Sequence, residues 1–196
     1  DDSEANGNSV ADYGENIKVN LLVKNVGKTN ATNIGAKISA GTGLISLTSA
    51  DSIGIGNIDA ESEKWVNAAY KFSIPSNITD KYTQVFPITF TSTEGSWTSN
   101  LRITAAAPKI VFNGYTVVDT LMGNSNSQLD RNEVVDLQFE FQNKGGSAIP
   151  DFSAQATIPD SLLNAVSVNF EPISNRTIQP NEKEILTLRV STSPSL

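Results

Sequence analysis

The chain contains no cysteine and no histidine. Those two absences remove disulfide frameworks, Ser-His and Cys-His nucleophilic sites and most zinc sites together. Paired carboxylates of the glycosidase kind are the catalytic option left. The obvious pairs, Asp59, Glu61 and Glu63 and then Glu182 and Glu184, alternate along turn-and-strand segments and read as solvated charges. Nothing assembles a nucleophile, a base and an oxyanion site, so the chain reads as non-catalytic.

Basic residues are also scarce: 14 Lys and Arg against 21 Asp and Glu give a formal charge of −7. A nucleic-acid surface needs a clustered basic stripe to displace counterions, and none is present. No apolar run approaches the roughly 18 residues of a membrane-spanning helix, so no membrane insertion is expected. There is no signal peptide at the start, and the missing cysteine fits either side of a membrane.

What is present is a duplication. Laying residue n on residue n + 118 matches Asp1 with Asp119, Asn6 with Asn124, Asn8 with Asn126, Asp12 with Asp130 and Glu15 with Glu133. The matches continue through Asn25/Asn143 and Gly27/Gly145 to Ala36/Ala154, with apolar pairs in phase at Ile17/Val135, Val19/Leu137, Leu21/Phe139 and Val23/Phe141. Two copies of one unit are therefore expected, 1–107 and 108–196, divided at the link Ala105-Ala106-Ala107-Pro108.

The segments NIKVNLLVKN and VVDLQFEFQN place apolar residues at every second position. Period two with one polar face is the signature of a half-buried antiparallel strand. Further strands are expected at Gly43–Leu47, Trp65–Ile74, Gln84–Thr91 and Ser96–Ala105, and at Ala165–Phe170 and Glu184–Val190 in the second copy. Short strands every 8–12 residues, with Asn-x-Gly turns and no helical periodicity, predict an all-β chain of two tandem immunoglobulin-like antiparallel β-sandwiches. KIVFNGYTVV opens the second copy with no counterpart ahead of Asp1, and the hairpin at Gln84–Ala105 has none after Leu196. The first sandwich thus lacks its opening strand and the second its last hairpin, as if cut from a longer array, and open strand edges are expected.

The strongest shared pattern is D-x4-N-x-N-x3-D-x2-E: Asp119, Asn124, Asn126, Asp130 and Glu133, and again Asp1, Asn6, Asn8, Asp12 and Glu15. Hard oxygen donors on a short loop are what the six to eight contacts of calcium require. Crowded carboxylates without a cation repel by roughly 1–4 kcal/mol per close pair, which makes a shared divalent ion the expected cofactor. At millimolar calcium such a site contributes about 0.5–1.5 kcal/mol, a stiffening role that places the chain outside the cytoplasm. The competing reading is a long connection whose Asn and Asp side chains satisfy the backbone through Asx-turns. The first copy has Asp1 at the chain start with no strand to hold it, and Asp2 is its alternative.

Gly123–Glu133, GNSNSQLDRNE, followed by VVDLQFEFQNKGGSAIPDFSAQATI, resembles the recurring unit of CARDB-like and related immunoglobulin-like modules. Such modules occur as tandem accessory domains of large surface or secreted proteins, often from Bacteroidetes and sometimes beside gingipain-type peptidases. The resemblance implies an extracellular or cell-surface module for spacing, adhesion or support, whose partners are neighbouring domains of a longer chain. The chain departs from that unit at Ser127 and Asn132, where glycine is the commoner residue, while Gly14 keeps it. A ligand-binding module for a glycan or host protein is the alternative, with Trp65, Trp97, Tyr13, Tyr82 and Tyr115 as stacking residues if one face gathers them. An accessory part of a secreted peptidase is a third.

Overall fold

A computed structural model describes residues 1, 5–157, 159–162, 165–170 and 173–194, and the alternative donor Asp2 lies outside them. The described chain is all-β, with antiparallel sheets and a single 3-10 turn at Asp160–Leu162. It divides into two compact units, Asp1–Ala107 and Pro108–Leu196.

Unit 1 contains β1 (Asn16–Lys24), β2 (Ala31–Ile38), β3 (Ser46–Leu47), β4 (Ser52–Ile58), β5 (Glu63–Ser73), β6 (Tyr82–Thr91) and β7 (Ser96–Ala105). One sheet has the order β1-β5-β3 and the other β4-β2-β6-β7. Their facing sides bury Ile38, Ile45, Tyr70, Phe72, Ile74 and Phe86, with Phe72 and Phe86 tilted at a ring separation of 4.7 Å. The alternation Ile17, Val19, Leu21, Val23 supplies one wall of this core, as period two demands.

Unit 2 contains β8 (Ile110–Met122), β9 (Val134–Asn143), β10 (Ile149–Ala154), β11 (Val166–Phe170), β12 (Ile173–Ile178) and β13 (Lys183–Thr192). Its larger sheet runs β11-β13-β9-β8, and β10 pairs with β12. The β1-β5-β3 order of unit 1 recurs as β9-β13-β11, with β8 added on the outer side of β9. The β4-β2 pair recurs as β12-β10, and no described strand of unit 2 corresponds to the β6-β7 hairpin. Among the described residues the opening strand and the closing hairpin are thus each found in one unit, as the repeat alignment anticipates.

Two strands escape the sequence pattern. In β4, SIGIGNI carries Gly54 and Gly56 where a strand former is expected, so the local signal is that of a turn. Pairing with β2 and burial of Ile55 and Ile58 override it. The same applies to β12, ISNRTI, whose polar centre is held by β10 while Ile178 is fully buried. Of the expected strand at Gly43–Leu47 only Ser46–Leu47 forms, because Gln84 reaches over: its amide bonds both Ile45 backbone groups, at 2.8 and 2.9 Å.

Candidate functional site

The loop between β8 and β9 is held by its own side chains. Glu133, 6% exposed just before β9, accepts the Asn124 amide at 2.7 Å on Oε1 and the Asp130 amide at 3.0 Å on Oε2. Asp130 Oδ2 accepts the carboxamide N–H groups of Asn124 and Asn126, at 2.9 and 2.7 Å. The Asn124 and Asn126 oxygens each accept the amide two residues on, from Asn126 (3.0 Å) and Gln128 (2.8 Å), which are Asx-turns. Asp119, 2% exposed within β8, accepts the Ser127 amide at 2.9 Å. The loop is closed onto the sheet where the Glu133 amide donates to Thr192 Oγ1 and the Thr192 amide donates to the Glu133 carbonyl.

Unit 1 repeats the Asn–Asp–Glu part of this network. Glu15 accepts the Asn6 and Asp12 amides (3.3 and 3.1 Å), and Asp12 Oδ2 accepts the Asn6 and Asn8 carboxamides (2.8 and 2.7 Å). Asn6 and Asn8 again accept the amides two residues on. The backbone follows: φ is positive at Gly7 (71°), Ser9 (65°) and Gly14 (75°), and at Ser125 (65°), Ser127 (62°) and Asn132 (57°). The departures from the glycine pattern at Ser127 and Asn132 therefore leave the loop path unchanged. Asp1 is held after all, because it exchanges two backbone hydrogen bonds with Lys18, each 2.8 Å. One further position belongs to the site, since a Cβ on Gly123 would lie 2.6 Å from the Asp119 carbonyl oxygen and 2.9 Å from Glu133 Oε1.

The donor set does not fit calcium in this arrangement. An ion needs oxygens, whereas Asn124 and Asn126 turn their N–H groups toward Asp130, and both oxygens of Glu133 already accept backbone amides. Among the described residues no group of three or more acidic side chains is placed to hold a metal ion. The repulsion expected between the carboxylates is met by N–H dipoles: each carboxylate has its own donors, and charge-assisted bonds of this kind are stronger than neutral ones. The Asx-turns set against calcium from the sequence are present at Asn6, Asn8, Asn124 and Asn126.

A second repeated group was hidden in what looked like turn chemistry. Asn143, fully buried at the end of β9, donates to the carbonyls of Ser147 (2.8 Å) and Ile178 (3.2 Å). Its oxygen accepts the amides of Gly145 (3.0 Å) and Lys109 (3.1 Å). One side chain thus ties the β9-β10 turn to the end of β12 and the start of β8. Asn25 does the same in unit 1, donating to Thr29, Ile58 and Asp59 and accepting from Gly27, but it is only half-buried. An Asn-x-Gly tripeptide signals a turn; nothing local signals that its amide reaches across the sandwich.

Electrostatics follow the same bonds. The Asn124 and Asn126 carboxamides hold the Asp130 carboxyl below its ordinary range. The Arg189 fork does so for Asp136 through two bonds of 2.8 Å, and Lys183 with Asn113 does so for Glu140. A carboxyl whose folded pKa is depressed adds stability above its unfolded pKa and loses it as pH falls through the folded value. All three groups lie in unit 2 and are little buried, so its melting temperature is expected to be flat from neutral pH to about 4.5 and to decline modestly below about pH 4. A melt that starts to fall near pH 6 would contradict this assignment.

The aromatic residues are not gathered. Trp65 (61% exposed) is on β5 in one sheet, Trp97 (52%) is on β7 in the other, and Tyr82 is tied to the Leu44 amide. Tyr115 belongs to unit 2, where it stacks on Phe139. Among the described residues no helix is long and apolar enough to cross a membrane.

No family model matches the chain, and no curated protein does. Among solved structures it is similar to a protein of unknown function from Porphyromonas gingivalis W83, at 12% identity and a TM-score of 0.35 over 95% of this chain and 79% of that one. The secreted serine protease VesC from Vibrio cholerae aligns at 13% identity and a TM-score of 0.33, over 94% of this chain and 44% of that one. The YadV chaperone aligns at 11% identity and a TM-score of 0.26, over 92% and 82%.

Proposed function

We propose that the chain is a non-catalytic structural module of a larger exported protein, a tandem spacer or support of the CARDB-like kind. The observation that carries this reading is the carboxylate–amide knot present in both units. It engages Asn124, Asn126, Asp130 and Glu133, and in unit 1 Asn6, Asn8, Asp12 and Glu15, in fixing the loop, which supports a structural role. The resemblance of GNSNSQLDRNE and its following strand to tandem surface modules supports export and a place beside other domains.

Such a module should bear load. Stretched by its ends in a single-molecule experiment, the chain is expected to give two separate unfolding events. Their length gains should be about 36 and about 30 nm, from about 3.4 Å per residue of each unit. A chain that extends without resistance has no spacer role. Glycan-array binding that disappears in Trp97→Ala would instead establish the ligand-binding reading.

A further inference from the structure

We propose that Asn6-Gly7 is a site of spontaneous deamidation, and that the conversion opens the carboxylate–amide lock of unit 1 while the lock of unit 2 stays closed. This goes beyond a spacer role, since it gives one of two like units a chemical lifetime.

Two Asn-Gly pairs occur in the chain, Asn6-Gly7 and Asn113-Gly114. In such a pair the glycine backbone nitrogen can reach the Asn Cγ, because no side chain stands in the way. A bond forms between that nitrogen and Cγ, closing a succinimide ring, and the Cγ–Nδ2 bond breaks. The glycine nitrogen gives up a proton and the leaving nitrogen gains one, so ammonia departs. Water then opens the ring at either carbonyl and leaves aspartate or isoaspartate. Water is the only co-reactant.

The folded loop prepares this step at Asn6. Its Oδ1 accepts the Asn8 amide at 3.0 Å, an Asx-turn that folds the carboxamide over the Gly7 peptide. The same N–H faces the negative charge that gathers on Oδ1 when Cγ is attacked, as an oxyanion-hole donor does. Asn6 and Gly7 are exposed, and nothing lies within 4 Å of where a Cβ on Gly7 would sit. Among the described residues the Gly7 amide donates to no acceptor. Asn113 is placed otherwise. It lies within β8, its carboxamide is turned onto β9 by bonds to Glu140 (2.9 Å) and Gln142 (3.4 Å), and Gly114 is paired opposite Glu140.

The repeat isolates the effect of the glycine. Asn124 makes the same Asx-turn and the same bond to its aspartate, but Ser125 follows it, at φ 65° against 71° for Gly7. The backbone path is shared, and the serine side chain crowds the attacking nitrogen. Exposure is a property of the loop itself, since Asn124 is exposed with β8 paired beside β9.

Conversion has a structural consequence. Asn6 Nδ2 donates to Asp12 Oδ2 at 2.8 Å, and a carboxylate in its place turns a charge-assisted bond into a like-charge contact. Isoaspartate also lengthens the backbone by one carbon inside the lock. The lock holds Ala11–Tyr13 against the end of β7, where the Ala106 amide donates to the Ala11 carbonyl and the Tyr13 amide to the Ala106 carbonyl, each at 2.9 Å. Its release therefore loosens that contact.

The whole folded chain is incubated at mildly alkaline pH, its peptides are weighed, and isoaspartate is located by enzymatic methylation. Position 6 is expected to convert at least about tenfold faster than positions 113 and 124, a difference of about 1.4 kcal/mol in barrier. In urea the two Asn-Gly pairs should converge on one rate. Gly7→Ser, which copies unit 2, should slow conversion at position 6 at least about tenfold. Asn6→Asp, which copies the product, should lower the urea midpoint of the tryptophan signal, since both tryptophans lie in unit 1, and leave the circular dichroism phase of unit 2 in place. Equal rates at positions 6 and 113 in the folded chain, an unaltered rate in Gly7→Ser, or an unchanged tryptophan midpoint in Asn6→Asp would each overturn the inference.

Discussion

Asn143→Ala is expected to destabilise unit 2 by about 3 kcal/mol, the largest effect of any single polar truncation in that unit. The change removes the hydrogen bonds to the carbonyls of Ser147 and Ile178 and from the backbone amides of Gly145 and Lys109. Each unsatisfied buried group costs about 1–3 kcal/mol, partly relieved where water can enter. The effect is separable by unit because both tryptophans, Trp65 and Trp97, lie in unit 1. Far-UV circular dichroism in urea should therefore show an early transition for unit 2 while the tryptophan signal keeps its midpoint. Asn25→Ala should do the reverse and cost less, about 1–2 kcal/mol, because its site is open to water. Equal costs for the two substitutions would contradict the role assigned to burial.

Glu133→Ala is expected to cost about 2 kcal/mol, again in the circular dichroism phase only. The carboxylate accepts two backbone amides from opposite ends of the loop, so its loss frees Asn124–Asp130 from the sheet end. Glu133→Gln should recover little, since a carboxamide oxygen can serve only one of the two amides while its N–H2 group faces the other. The cost should be the same in millimolar calcium and in chelator. A parent chain whose melting temperature drops on chelation, with Glu133→Ala insensitive to it, would restore the ion and remove the hydrogen-bonded lock.

The site was half legible. The spacing shared by Asp119, Asn124, Asn126, Asp130 and Glu133 marked side chains that the folded loop brings into one hydrogen-bonded group. Oxygen-rich side chains have two partners of similar appeal, a hard cation and the backbone amides of their own loop, and spacing alone does not choose between them. The choice depends on which way each carboxamide turns, and here the N–H groups of Asn124 and Asn126 turn toward Asp130. Asn143 and Gln84 were less legible still. Their partners lie 35 and 39 residues away, and no local pattern encodes a contact at that distance.

What the sequence determined by itself was everything carried by short-range periodicity and by repetition. The alternation along NIKVNLLVKN and VVDLQFEFQN sets strands with one buried face, and the shift of 118 residues sets two like units with the opening strand and closing hairpin divided between them. Tertiary structure decided the rest: that glycine-bearing SIGIGNI is a strand, that two asparagines anchor the turns, and that the acidic loops close on their own amides. The physical reason is common to all three. Solvent exclusion between the sheets penalises a buried donor or acceptor that lacks a partner, and the partners available are fixed by how distant segments pack.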